Sequence, residues 1–151
     1  VQFAVAPVIR DSLLLLSHIL RRGKCAVIFE AASDEIQLYG SPSRLAQVIT
    51  NLIVNAIDAS TEKGEGQIKL RLAASAAEVT LHVDDQGSGI EPETLSKIFD
   101  PMFTTKPFGQ GTGLGLTIVN DIVTGDFGGR IDVTSQPGQG TTFILHFPHH
   151  A

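Results

Sequence analysis

The order of helix and strand signals predicts an α+β fold, a two-layer sandwich with helices packed on one face of a mixed, mostly antiparallel sheet. Pairs of short strand segments alternate with single amphipathic helices, whereas a parallel doubly wound sheet would alternate single strands with helices. The 151 residues, 42% hydrophobic and 18% charged, suit one globular domain. We expect this domain to cover residues 1–148, followed by a tail at 149–151.

Each element has its own local signal. Apolar residues at helical spacing predict helices at 7–22, 41–60 and 114–123, and a shorter helix at 93–99. Ser41 is the expected N-cap of the second helix, with Pro42 in its first turn. Alternating apolar residues predict strands at 67–73 and 79–83, and two more strands are expected at 131–134 and 141–147, separated by a turn at 137–140. A short apolar strand at 25–29 is expected to form a hairpin with 35–39.

Composition excludes several classes of protein. The net charge is −5 and no basic stripe is present, so nucleic acid is not an expected partner. Cys25 is the only cysteine, which rules out an internal disulfide and favours a reducing, cytoplasmic location. No apolar run approaches the ~20 residues that cross a bilayer, so we expect no direct membrane insertion, although a longer parent protein could be anchored elsewhere.

The first chemical pattern is a polar stripe on the second helix. Asn51, Asn55 and Asp58 are spaced i, i+4 and i+7, so they share one helix face. An amide oxygen is a hard ligand that can hold Mg²⁺ beside phosphate oxygens. This stretch alone fits a solvated polar face better than a metal site.

The second pattern, Asp85-Gln86-Gly87-Ser88-Gly89-Ile90, follows a predicted strand. A carboxylate there can accept a hydrogen bond from an exocyclic amine such as that of adenine, and the glycines let a ligand approach the backbone. An ordinary strand-to-helix turn explains this pattern equally well.

Two further patterns are rich in glycine. The stretch 109–116 leads into a helix, where backbone N–H groups favour anions, although a flexible hinge is the alternative. The stretch 138–143 fits a hairpin turn. The loop at 100–113 is long enough to suggest a functional or mobile segment. The dinucleotide fingerprint, the Walker motif and the catalytic loop of protein kinases are all absent from the sequence.

Taken in order, these patterns resemble the ATP-binding catalytic domain of sensor histidine kinases, within the GHKL group. The N box is similar to 51–59, the F box to 99–106, and the three glycine boxes to 85–89, 111–116 and 138–143. The Phe-Thr-Thr-Lys form of the F box resembles the nitrogen-regulation type of sensor kinase. The resemblance extends from about Phe3 to Phe147.

The resemblance implies a role for each box. Asn55 would bind Mg²⁺, Asp85 would accept from the adenine amine, and Thr141 would help to hold adenine. The loop at 100–113 would form a lid over ATP, and the second glycine box would contact the phosphates. The full set of residues implied for the ATP site is Asn51, Asn55, Asp58, Ala59, Asp85, Gly87, Gly89, Ile90, Lys106, Gly111, Thr112, Gly113, Leu114, Gly115, Leu116 and Thr141.

The resemblance also indicates the reaction. Hydrolysing members of the group have a glutamate four residues before the metal asparagine, where this chain has Asn51. This favours transfer of the γ-phosphate to a histidine on a separate dimerisation domain of the same kinase, and from there to a response regulator. None of the five histidines, at 18, 82, 146, 149 and 150, has the neighbours of a phosphoacceptor. The alternatives are a GHKL-type ATPase or serine kinase, and a regulatory module that only binds nucleotide.

Overall fold

A five-stranded mixed sheet with helices on one face forms the body of the molecule. The computed structural model describes residues 1–61, 64–100 and 115–149. The elements are β1 (Gln2–Ala4), α1 (Val5–Leu15), α2 (Ser17–Arg22), β2 (Cys25–Ala31), β3 (Gln37–Tyr39), α3 (Pro42–Thr61), β4 (Gly66–Ala74), β5 (Glu78–Asp85), α4 (Pro92–Leu95), α5 (Gly115–Asp121), a π-helical turn (Ile122–Asp126), β6 (Arg130–Gln136) and β7 (Gly140–Pro148). The strand order in the large sheet is β2-β4-β5-β7-β6.

The sheet is mixed because only the β2–β4 pair is parallel, while β4–β5, β5–β7 and β6–β7 are antiparallel. A parallel pair needs a long crossover connection, and the chain between β2 and β4 contains α3. The predicted α+β class, with helices on one face of a mostly antiparallel sheet, is therefore confirmed.

The core lies between α3 and the inner face of the sheet. Strand residues alternate between this face and solvent, as in a sheet that is covered on one side only. On α3, one apolar stripe is almost completely buried, consisting of Leu45, Val48, Ile49, Leu52, Ile53 and Ala56. Ser41 Oγ accepts a hydrogen bond from the Arg44 N–H at 3.3 Å, as expected for the N-cap of this helix.

The predicted hairpin between 25–29 and 35–39 is wrong. β3 pairs instead with β1 in a separate two-stranded sheet, with Phe3 opposite Leu38. β2 pairs with β4, which places Val27 opposite Ile68. Because Leu38 is 3% exposed, its burial in the core fixes β3 away from the edge of the large sheet.

The helix predicted at 7–22 is two helices that meet at Leu16. Leu16 and Leu20 are buried on one face, while Leu14 and Leu15 are exposed to solvent. The helix expected at 93–99 contains only Pro92–Leu95, with turns after it. The helix expected at 114–123 runs as α5 and then as the π-helical turn to Asp126. Among the described helices, none combines the length and apolarity needed to span a membrane.

We expect Gly129→Ala to destabilise the fold. A Cβ at Gly129 would lie 2.0 Å from the carbonyl oxygen of His146, so the β6–β7 ladder would have to shift. Overpacking of this kind costs about 1–3 kcal/mol. Gly125→Ala is the matched control, because no atom lies within 4 Å of that Cβ position. Urea denaturation should show a lower unfolding free energy for Gly129→Ala alone, and equal stability of the two variants would contradict the packing argument.

Candidate nucleotide-binding site

Burial of the apolar stripe of α3 leaves its polar stripe on another side of the helix. Asn51 and Asn55 are half-buried, and Asp58 is exposed. The Asn51 side-chain amide donates to the carbonyl of Gly115, the first residue of α5, at 3.4 Å. This contact joins the N box to the described end of the second glycine box, which are 64 residues apart in sequence.

Asp85 is the last residue of β5 and, in the described part of the chain, the one buried residue with a charged side chain, at 7% exposure. Its Oδ1 atom accepts a hydrogen bond from the Gly87 N–H at 2.8 Å. A charge-assisted bond of this kind fixes the carboxylate against its own turn. The structure therefore presents Asp85 as an ordered hydrogen-bond acceptor at the end of a strand.

The glycines after Asp85 are required by contacts within the protein. A Cβ at Gly87 would lie 2.7 Å from the carbonyl oxygen of Ala59 on α3, and the Ser88 N–H donates to the same oxygen at 3.1 Å. Gly89 has φ +76°, and its Cβ would lie 2.1 Å from the carbonyl oxygen of Gln136. From the sequence, these glycines were expected to let a ligand approach the backbone. Close packing within the protein already requires glycine at both positions.

Thr141 lies beside Asp85, because the two residues are partners in the β5–β7 register. Its side chain is buried, at 4% exposure. Ser135 of β6 is the partner of Thr141 on the other side, and the two hydroxyl oxygens are 2.8 Å apart. These residues form a cross-strand row of three polar side chains on the inner face of the sheet, which we call the polar row.

Sequence reasoning missed Ser135. Along β6, Ile131, Val133 and Ser135 alternate with exposed residues, so Ser135 continues the inward-facing positions. A polar residue at an inward position of a half-buried strand was the signal that could have identified it.

The F box begins with a contact that connects the site to the sheet. The ring of Phe99 packs edge-on against Phe143 of β7, with centroids 6.5 Å apart. The Thr117 hydroxyl of α5 donates to the Phe99 carbonyl at 2.9 Å. Both contacts fix the start of α5 over the inner face of the sheet.

Part of the predicted site lies outside the described residues, namely Lys106, Gly111, Thr112, Gly113, Leu114 and all of the proposed lid except Asp100. Gly115 and Leu116 are described, and both are half-buried in α5. The structure brings together Asn51 and Gly115 at one end of the site, and Ala59, Gly87 and Ile90 with the polar row at the other.

Comparison with known proteins identifies the family. Residues 40–151 match the family described as histidine kinase-, DNA gyrase B- and HSP90-like ATPases. The chain belongs to this family. It is 41% identical over 140 residues to the sensor histidine kinase ZraS of Escherichia coli K12, covering 93% of this chain and 29% of ZraS. The chain therefore spans about a third or less of the length of this relative.

Solved structures agree with this assignment. The catalytic domain of the histidine kinase ThkA superposes with a TM-score of 0.87 at 33% identity, covering 99% of this chain and 95% of that one. ThkA has also been solved in complex with the response regulator protein TrrA. Full-length ShkA in complex with AMPPNP gives a TM-score of 0.83 at 25% identity, covering 99% of this chain and 32% of ShkA.

The histidines in the strands lie on the face of the sheet opposite the site. His82 and His146 alternate with buried residues of β5 and β7, so the sheet separates them from Asp85. Burial, followed by the charge of Arg71, lowers the pKa of His82. The Nδ1 atom of His146 lies 3.1 Å from Glu78 Oε1, and its Nε2 atom lies 3.0 Å from Asp132 Oδ2. His18 is exposed on α2.

We expect Asp85→Asn to remove most of the ATP affinity of the domain. The change keeps the shape of the side chain but replaces a carboxylate acceptor by an amide, and loss of a buried hydrogen bond costs ~1–3 kcal/mol. Isothermal titration calorimetry with Mg-ATP would measure this loss. Asp84→Asn is the control, since Asp84 is the preceding residue in β5 and pairs with Arg71 at 3.8 Å on the outer face. Similar ATP affinities for the two variants would exclude Asp85 from the site.

Proposed function

We propose that this chain is the catalytic domain of a sensor histidine kinase, which binds Mg-ATP and donates its γ-phosphate to a histidine on a separate dimerisation and phosphoacceptor domain of the same kinase. One observation supports this most directly. Helix α3 contacts the proposed phosphate end of the site through Asn51 and the proposed base end through Ala59. Eight residues of helix span about 12 Å. This distance leaves room for the base of a nucleotide at one end of the site and its triphosphate chain at the other.

The side chains of α3 suit Mg²⁺. Mg²⁺ prefers oxygen ligands and takes few of them from the protein, with substrate phosphates supplying others. Asn55 is the residue that would hold it, with Asn51 and Asp58 on the same helix face. Among the described residues, no group of three His, Cys, Asp or Glu side chains could hold a metal ion by itself. Bound Mg²⁺ would neutralise phosphate charge during transfer.

The side chain of Asn51 favours transfer of the γ-phosphate to a protein acceptor over hydrolysis of ATP. An amide is not a general base, and a positioned base contributes ~10²–10⁴-fold to such a reaction. The Asn51 amide already donates to the Gly115 carbonyl, which gives it a structural role between α3 and α5. The strand histidines lie on the opposite face of the sheet and His18 is exposed on α2, so we infer that the nucleophile comes from a separate phosphoacceptor domain.

The partners and setting follow from the same proposal. The structures of ThkA with a response regulator and of ShkA with AMPPNP support a nucleotide substrate and an indirect regulator partner. We place the domain at residues 1–148 with a tail at 149–151, and in the cytoplasm, where ATP is available. The nitrogen-regulation subtype depends on residues 103–106, which lie outside the described part of the chain.

We expect the isolated chain to remain unlabelled when it is incubated with radiolabelled Mg-ATP, because no histidine of the described residues is positioned as an acceptor and Asn51 is not a general base. Addition of the dimerisation domain of the parent kinase should produce acid-labile phosphate on that domain. Asn55→Ala should abolish the label by removing a metal ligand, whereas Gln47→Ala, at an exposed position on the same helix, should not. Label on His18 of the isolated chain, or rapid phosphate release without a partner, would contradict the proposal.

A further inference from the structure

Ser135 connects the two loops that enclose the proposed base-binding end of the site. Its hydroxyl oxygen accepts from the Ile90 N–H at 2.8 Å, and its O–H donates to the Gly140 carbonyl at 3.0 Å. It also lies 2.8 Å from the Thr141 hydroxyl. These are the polar atoms within hydrogen-bond distance of Ser135 among the described residues, and they come from both sides of the site.

The backbone around Ser135 is held closely in place. The Gly138 N–H donates to the Ser88 carbonyl at 2.7 Å, which joins the β6–β7 turn to the loop after Asp85. A Cβ at Gly140, which has φ +123°, would lie 2.1 Å from the Asp85 carbonyl oxygen. The packing therefore fixes the positions of the Ile90 N–H and the Gly140 carbonyl. The N–H can only donate and the carbonyl oxygen can only accept, so these two groups cannot exchange roles.

These fixed groups determine the direction of the hydroxyl protons. A serine hydroxyl has one proton to donate and two lone pairs to accept with. If Ser135 donates to Gly140, it can accept from both Ile90 and Thr141, and all three contacts are hydrogen bonds. If Ser135 donated to Thr141 instead, the Gly140 carbonyl would lose this partner. The Ser135 and Gly140 oxygens, which are 3.0 Å apart, would then face each other as two acceptors with no proton between them, so the first arrangement is favoured.

The proton of Thr141 is consequently directed to Ser135. The remaining lone pairs of the Thr141 hydroxyl are available on the side of the sheet that it shares with Asp85. A ligand bound at this end of the site meets two acceptors, the Asp85 carboxylate and the Thr141 oxygen. Two acceptors favour a base edge that donates, such as the amino group of adenine, directly or through water, and disfavour the carbonyl edge of guanine.

We propose that Ser135 is a positioning residue that sets the selectivity of the site for an amino-bearing purine by fixing the proton of Thr141. This rests on the proposed ATP site at Asp85. When Ser135 is replaced by alanine, the Thr141 proton is released and can be donated to a carbonyl group of the base. ATP binding then weakens, while GTP binding weakens less, so the ratio of the two affinities falls.

The test compares Ser135→Ala with Ser135→Thr, which keeps the hydroxyl, and with Thr134→Ala, an exposed neighbour in the same strand. ATP and GTP affinities are measured by competition against a fluorescent ATP analogue. We expect Ser135→Ala to lower ATP affinity about fivefold and to reduce the ATP-to-GTP ratio, as for loss of one hydrogen bond. Ser135→Thr should restore both values to within about twofold, and Thr134→Ala should change neither.

Two outcomes would overturn the proposal: an unchanged ATP-to-GTP ratio in Ser135→Ala, with or without equal weakening of both affinities, or a reduced ratio in Ser135→Thr. Equal weakening would indicate a purely structural role. If Ser135→Ala does not fold, as judged by urea denaturation, Thr141→Val replaces it, and this variant must also reduce the ratio. Asp85→Asn is measured in parallel. If that variant keeps ATP affinity, the ATP site is wrong, whereas if it loses affinity and Ser135→Ala keeps its ratio, only the role of Ser135 fails.

Discussion

The packing of α3 against the sheet is the interaction on which the rest of the structure depends. Its apolar stripe, which includes Leu45, Ile49 and Ile53, is fully buried, so rotation of the helix would expose several large side chains. Once that stripe is fixed, Asn51, Asn55 and Asp58 can face only the side on which α5 begins. The same helix also supplies the crossover that makes β2 and β4 parallel. One buried surface thereby sets both the sheet topology and the direction of the proposed metal ligand.

The base-binding end of the proposed site is held by contacts that also stabilise the fold. Gly89 and Gly140 allow the loop after Asp85 and the β6–β7 turn to approach within van der Waals distance. Ser135 then joins them through hydrogen bonds to Ile90 and Gly140. Such a site needs little rearrangement to accept a ligand, because its polar groups are already ordered by one another. Glycine at these two positions is therefore required by the packing of the fold, and the position of the loop and the turn follows from that packing.

The proposed division of phosphoryl transfer between this domain and a separate phosphoacceptor domain has a physical reason. Phosphoryl transfer depends mainly on positioning and on stabilisation of charge around the phosphate. The described residues of the proposed site include a carboxylate acceptor, side-chain amides and backbone groups, while the strand histidines, including His146 with its acidic partners, lie on the opposite face of the sheet. The sheet therefore separates these two histidines from the proposed ATP site. In the proposed reaction, a second domain would supply the acceptor histidine.

The sequence by itself determined the α+β class, the helices α3 and α5, the presence of all five strands of the large sheet, the alternating faces of β4 and β5, and the polar stripe of Asn51, Asn55 and Asp58. These features follow from local periodicity, which depends on residues close together in the chain. Only the tertiary structure decided that β3 pairs with β1, that β2 lies beside β4, and that Ser135 joins Ile90 to Thr141. Such pairings depend on which distant segments meet. The sequence of a short segment such as 35–39 does not indicate which strand it pairs with. Burial of Leu38 in the assembled core accompanies the pairing of this segment with β1.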